Sequence, residues 1–112
     1  MNAFTRPLIG LLLMAAGAAA TANQGHKYLE SLPDAERNKR LTEMLAEMPG
    51  RCVVQHHFFR GFDAQGAAFW SAGCASKEAY AIKILDDANG STQILNCRLL
   101  MERAKVDCFS RL

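Results

Sequence analysis

Four cysteines, Cys52, Cys74, Cys97 and Cys108, all follow an amino-terminal apolar run, and none precedes it. The run, Leu8 to Ala20, is 13 residues rich in Leu and Ala behind Arg6 and the free amino terminus. Ala18-Ala19-Ala20 and Ala20-Thr21-Ala22 both fit the small-residue pattern of leader cleavage, and a cut after Ala22 is preferred. The run falls short of the roughly 20 apolar residues that span a bilayer. Thr21, Asn23, Gln24, Gly25 and His26 end it, no cysteine follows it directly to carry a lipid, and no second apolar stretch occurs. The expectation is a cleavable signal over residues 1–22, a periplasmic or secreted destination, and no stable membrane span after cleavage. In an oxidising compartment an even set of thiols is a disulfide framework. That framework constrains the fold strongly, because about 90 residues remain, enough for one domain with a modest core. Each closed loop of about 10 to 25 residues contributes roughly 3 kcal/mol in the chain-entropy model.

Loss of the leader leaves 12 basic against 11 acidic residues. So even a balance gives no electrostatic argument for nucleic acid or an anionic membrane surface. Residues 23–30 read as a flexible tether, and residues 31–112 as a single small disulfide-stapled domain. Ser31-Leu32-Pro33-Asp34 resembles a helix start with Ser31 as N-cap. Leu41, Met44, Leu45 and Met48 form one apolar stripe, Glu36, Arg37, Asn38, Lys39, Arg40, Glu43 and Glu47 form the wet face, and Pro49-Gly50 stops the helix. The period then changes to two. Cys52–Arg60, Ala67–Cys74, Tyr80–Ile84 and Thr92–Cys97 are strand candidates, and Asp63–Gly66 and Asn89-Gly90 are turn signals. The fold class expected is α+β: an N-terminal helix packed on a four-stranded antiparallel meander, with a short C-terminal helix or irregular cover.

Two registers follow from these assignments. A two-residue Asn89-Gly90 loop sets Ile84 opposite Leu95 and Ile82 opposite Cys97. An even pairing sum in the first hairpin groups Cys52, Val54, His56, Phe58, Ala68, Trp70, Ala72 and Cys74 on the better core face. Phe59 and Phe69 then sit on the other face, so this hairpin is open to cover from both sides. The order of elements is similar to the cystatin-like and PepSY-like architectures. The Gln-x-Val-x-Gly hairpin of cystatin inhibitors is missing, Val53-Val54-Gln55-His56-His57 being no match, while Tyr80-Ala81-Ile82-Lys83-Ile84 before a Gly-containing turn echoes half of a PepSY unit. Likeness of element order implies no function.

In a simple meander Cys52 and Cys74 lie on adjacent strands at the same end. Cys74 and Cys97 are two strand spacings apart, about 9.5 Å, beyond the roughly 7 Å Cα limit for a bridge. The pairs expected are therefore Cys52–Cys74 and Cys97–Cys108, and the second requires the chain after Cys97 to turn back. No CxxC, CxxCH or zinc-knuckle spacing occurs, and no cofactor is implied.

Five of the eight aromatics beyond the leader fall between Phe58 and Trp70. A core cluster explains them, or a partly exposed aromatic hairpin in which Phe59, Phe62 and Phe69 meet a partner. The leading functional expectation is a non-enzymatic interaction or accessory module whose partner is a protein in the cell envelope or outside the cell. The alternatives are a periplasmic copper- or zinc-handling protein using His26, His56 and His57, and a small secreted enzyme. Adjacent His56 and His57 point to opposite faces of a strand, and Met44 and Met48 belong to the docking stripe. Asp86 and Asp87 read as turn residues without EF-hand spacing. No serine lies in a G-x-S-x-G or S-x-x-K frame, and no Gly-rich phosphate loop occurs.

Overall fold

The computed structural model describes residues 22–112, so the expected leader, but for Ala22, lies outside the described residues. Helices α1 (Gln24–Glu30) and α2 (Asp34–Met44) precede strands β1 (Val54–Phe62), β2 (Ala68–Cys74), β3 (Ala79–Ile84) and β4 (Thr92–Asn96), and α3 (Cys97–Ala104) follows. The sheet is an antiparallel meander in the order β1-β2-β3-β4, and the fold is α+β.

The segment expected as a tether is helical. A seven-residue helix is far too short to persist alone, and its stability comes from distant partners. Asn23 accepts the His26 N–H on its side chain at the N-cap. Leu29 is buried in the core. A Cβ on Gly25 would meet Ile84 Cγ2 at 2.9 Å and Gly90 Cα at 3.1 Å, so only glycine lets α1 lie this close to the β3–β4 loop. Ser31 does not start α2. Its hydroxyl donates to the Tyr28 carbonyl at the end of α1 (2.6 Å), and the extended Pro33 precedes α2 instead. Asp34 and Glu36 in the first turn complement the helix dipole there. The stripe docks, with Leu41 and Leu45 fully buried and Met44 and Met48 packed at the margin, but α2 ends at Met44 ahead of Pro49-Gly50, so Leu45 and Met48 dock from the turns that follow it.

Cys52 and Cys74 pair, as do Cys97 and Cys108, with Cα separations of 5.0 and 5.7 Å, and no free cysteine remains. Lys105 takes a left-handed conformation (φ 57°) that ends α3 and reverses the chain, which brings Cys108 back. The returning segment covers the face of the sheet away from the helices. Ser71 Oγ donates to the Cys108 carbonyl, Arg60 Nε to the Ser110 carbonyl (2.8 Å) and Leu112 N to the Arg60 carbonyl (3.0 Å). The first hairpin is thus covered on both sides.

Both expected registers are corrected. In the first hairpin Val54 faces Cys74, but His57 faces Ala72 and Phe59 faces Trp70; only beyond Arg60 does Phe62 face Ala68. Bulges at Gln55 and Arg60 insert one residue each, and each flips the alternation. His57 and Phe59, not His56 and Phe58, therefore share the helix-side face with Trp70. The first bulge sits where α2 grips the edge strand: Val54 N donates to Thr42 Oγ1 (2.9 Å) and Asn38 Nδ2 to the Gln55 carbonyl (3.2 Å). Such bonds satisfy an edge that would otherwise template aggregation.

In the second hairpin Ile84 faces Thr92 and Ile82 faces Ile94. Asn89-Gly90 is not a two-residue turn. The connection runs over residues 85–91, and Asp87 organises it by accepting from Asn89 N (3.1 Å) and Ser91 N (3.0 Å). These amide bonds, that of Ser91 foremost, hold the Asp87 carboxyl below its ordinary pKa. The shifted register puts Ile94 on the helix side, leaves Leu95 43% exposed opposite Ala81, and makes Cys97 the first residue of α3.

Candidate functional site

The aromatic residues of the first hairpin converge with α1 and α2 around one histidine. His26 is 4% exposed. Its ring stacks on Phe59 (4.7 Å between centroids), takes the edge of Phe62 (4.9 Å) and tilts against Trp70 (5.7 Å). Trp70 Nε1 lies 3.0 Å from His26 Nδ1. An indole N–H can only donate, so Nδ1 is the acceptor and the neutral ring carries its proton on Nε2, 3.7 Å from Glu30 Oε1. Burial lowers the His26 pKa, the Glu30 carboxylate opposes that, and the Arg37 cation adds to it.

His57 flanks the other side of Trp70, 5.8 Å between centroids. Its Nδ1 lies 2.7 Å from Asn38 Oδ1, which accepts, and its Nε2 accepts from Arg37 Nη1 at 3.2 Å. Burial, then Arg37, lowers its pKa, with Asp34 opposing and His56 adding to the fall. Arg37 was expected on the wet face of its helix. It lies instead half-buried over Trp70, Cζ 5.4 Å from the ring centroid, with its donors aimed at the end of α1. Nothing local in the sequence marks Arg37, which acts on residues placed by the fold; Asn23 carries a local N-cap signal toward His26, but its bonds to Gly66 and Ile84 have none.

Both histidines are built to stay neutral, which gives stability a pH dependence of definite sign. In the unfolded chain they titrate near 6.5, and in the folded chain lower. As pH falls through 6.5 the unfolded chain takes up protons that the folded chain refuses. Stability present above that pH is therefore lost on acidification until the folded pKa values are passed. Denaturant melts should show a slope of up to about 1.4 kcal/mol per pH unit for each histidine. His57→Gln should remove about half of the slope, and an unchanged slope would exclude His57 as a contributor.

Of the residues expected at a partner surface, two come together. Phe59 is half-buried and supports Phe62, 5.4 Å between centroids, and Phe62 is 52% exposed. Phe69 points to the opposite side of the sheet, where Lys83 Nζ lies 5.7 Å from its ring. The three imidazoles do not converge. His56 is on the opposite face against Phe109 (5.3 Å), while His26 and His57 spend ring nitrogens on Trp70, Asn38 and Arg37. Among the described residues no group of three or more His, Cys, Asp or Glu side chains gathers to hold a metal ion.

Phe62 forms one wall of a groove of about 350 Å³, whose other walls include His26, Lys27, Glu30, Gly66 and Asp86. A wider groove of about 540 Å³ lies at the far end of the domain between Met48, Tyr80, Ile94 and Arg98. No helix among the described residues is long and apolar enough to cross a membrane. The chain matches no protein-family model, no curated protein and no solved structure with which it was compared.

Proposed function

We propose that this chain is an exported, non-enzymatic binding module that holds a protein partner of the cell envelope or the extracellular space through Phe62 and the groove beside it. The observation that carries the reading is the exposure of Phe62 above a packed support. Its ring is half exposed, and the rings beneath it, Phe59, His26 and Trp70, are locked by stacking and by the indole hydrogen bond. An aromatic side chain held in place before the partner arrives loses little entropy on binding, which is the property of an interface hot spot. The partner chemistry that fits is an apolar side chain laid against Phe62, offered by an extended segment that can enter the groove. Use of all four cysteines in disulfides supports export.

The test is capture of partners from the cell envelope and culture medium on the immobilised mature protein. Phe62→Ala should lower capture of a specific partner about tenfold or more, the scale of a hot-spot side chain. Phe69→Ala, on the opposite face, should leave it unchanged. Equal capture by the Phe62 variant and the parent would overturn the reading.

A further inference from the structure

Asn23 is 2% exposed, whereas Ala22 beside it is exposed. Every polar group of Asn23 has a partner. Its Nδ2 donates to the Gly66 carbonyl (2.9 Å) and the Ile84 carbonyl (2.9 Å), its Oδ1 accepts from His26 N (3.0 Å), and its carbonyl accepts from Lys27 N (3.0 Å). Its backbone nitrogen donates to Asp86 Oδ1 at 2.7 Å. The residue adopts a left-handed conformation (φ 43°), which asparagine tolerates better than most side chains. Asp86 is half-buried, yet among the described residues it has no Lys, Arg or His within ion-pair distance. A carboxylate withdrawn from water and given only a neutral amide lacks the charge that would stabilise it best.

The sequence supplies that charge. Ala20-Thr21-Ala22 is a leader-cleavage pattern that ends at the residue before Asn23. We propose that the Ala22–Asn23 bond is the processing site, and that the α-ammonium group freed on Asn23 pairs with Asp86 as the anchor of the mature fold. This rests on the export part of the proposed function. The step is a hydrolysis by a leader-cleaving protease. Water adds across the peptide bond, Ala22 leaves with the leader as a carboxylate, and Asn23 keeps the nitrogen, which takes up a proton. The neutral amide contact becomes a charge-assisted one in place, with no rearrangement of the Asn23 side chain. A cut after Ala20, the other pattern in the sequence, would leave Thr21 and Ala22 attached and the Asn23 nitrogen a neutral amide.

The full chain, expressed with its leader, is recovered from the envelope or medium, and its amino terminus is read by sequencing and intact mass. The expected first residue is Asn23. A start at Thr21, or any other start beyond the leader, overturns the inference and leaves export standing. Retention of Met1 inside the cell overturns both. In the processed protein the pH profile of α-amine methylation is then compared with that of Asp86→Asn and of the denatured chain. The native midpoint should lie about one pH unit or more above both, a tenfold shift in the protonation equilibrium. A native midpoint equal to that of the denatured chain overturns the ion pair even where Asp86→Asn fails to fold.

Discussion

Replacing Cys52 and Cys74 together by alanine should lower folding stability by about 3 kcal/mol or more, from the chain-entropy value for a loop of this size. The bond closes a separation of 22 residues that contains the whole β1–β2 hairpin. Both cysteines lie in the hydrophobic core, 4% and 5% exposed, beside Val54, Trp70 and Ala72, so alanine also forfeits buried contacts. A domain of this size has roughly 5–15 kcal/mol in total, so the loss should move the denaturant midpoint far outside error. The Cys97–Cys108 bond is a different device. It closes only 11 residues and holds α3, none of whose residues is buried. Its removal should release the C-terminal cover from Ser71 and Arg60 first, seen as faster proteolysis after residue 96 with the core transition still cooperative. A smaller midpoint shift for the Cys52/Cys74 variant than for the Cys97/Cys108 variant would reverse these assignments.

The strands, the helix stripe and the disulfide pairs were legible because each depends on short-range pattern or on element order. Cys52 and Cys74 needed only adjacent antiparallel strands, and the pairing survived a register error between them. What the pattern could not supply was the side of the sheet on which each β1 residue lies. Gln55 carries no bulge signal of its own; the extra residue appears where Asn38 and Thr42 of α2 take the edge of the strand. That one insertion exchanged His56 and Phe58 for His57 and Phe59 beside Trp70. The Asn89-Gly90 register failed for a related reason. The Asp87 carboxylate binds two amides of the loop and stabilises a wider connection than the dipeptide alone favours.

The candidate site was legible only in part, and the missing part is α1. Local sequence over residues 23–30 is polar, and beyond the Asn23 N-cap it offers a helix of only seven residues little to hold it. The groups that make it helical sit far away, at Arg37, Gly66, Ile84 and Asp86. Placing α1 moves His26 from a tether to the centre of the aromatic cluster. The bulges at Gln55 and Arg60, not α1, put Phe59 and Phe62 on the helix side and leave Phe69 on the opposite face. The aromatic hairpin thereby narrows from three phenylalanines to one exposed ring with a supported base.

Arg37 is the residue on which that arrangement most depends. Its Nε donates to the Leu29 carbonyl (3.0 Å), and Nη2 donates to the Glu30 (2.8 Å) and Leu32 (2.7 Å) carbonyls. Nη1 faces His57 Nε2 (3.2 Å) and Asp34 Oδ1 (3.4 Å). One guanidinium therefore donates to three carbonyls at the end of α1 and the linker to α2, of which that of Leu29 also accepts from Leu32 N, while its Cζ lies over Trp70. Arg37→Met keeps the apolar stem and removes every one of these donors. It should cost about 3 kcal/mol, since bonds from a charged donor are worth roughly 1.5–3 kcal/mol each and do not add fully. Arg37→Lys should recover only a fraction, because an ammonium cannot reproduce the planar fork. The loss should be local before it is global: amide exchange over residues 26–32 should accelerate at least tenfold while β2 and β3 remain protected. With α1 loosened, His26 no longer props Phe59 and Phe62, so partner capture should fall even though Arg37 does not line the groove. Unchanged exchange in α1 of the Arg37→Met protein would show that the helix is held by Asn23 and Leu29 alone.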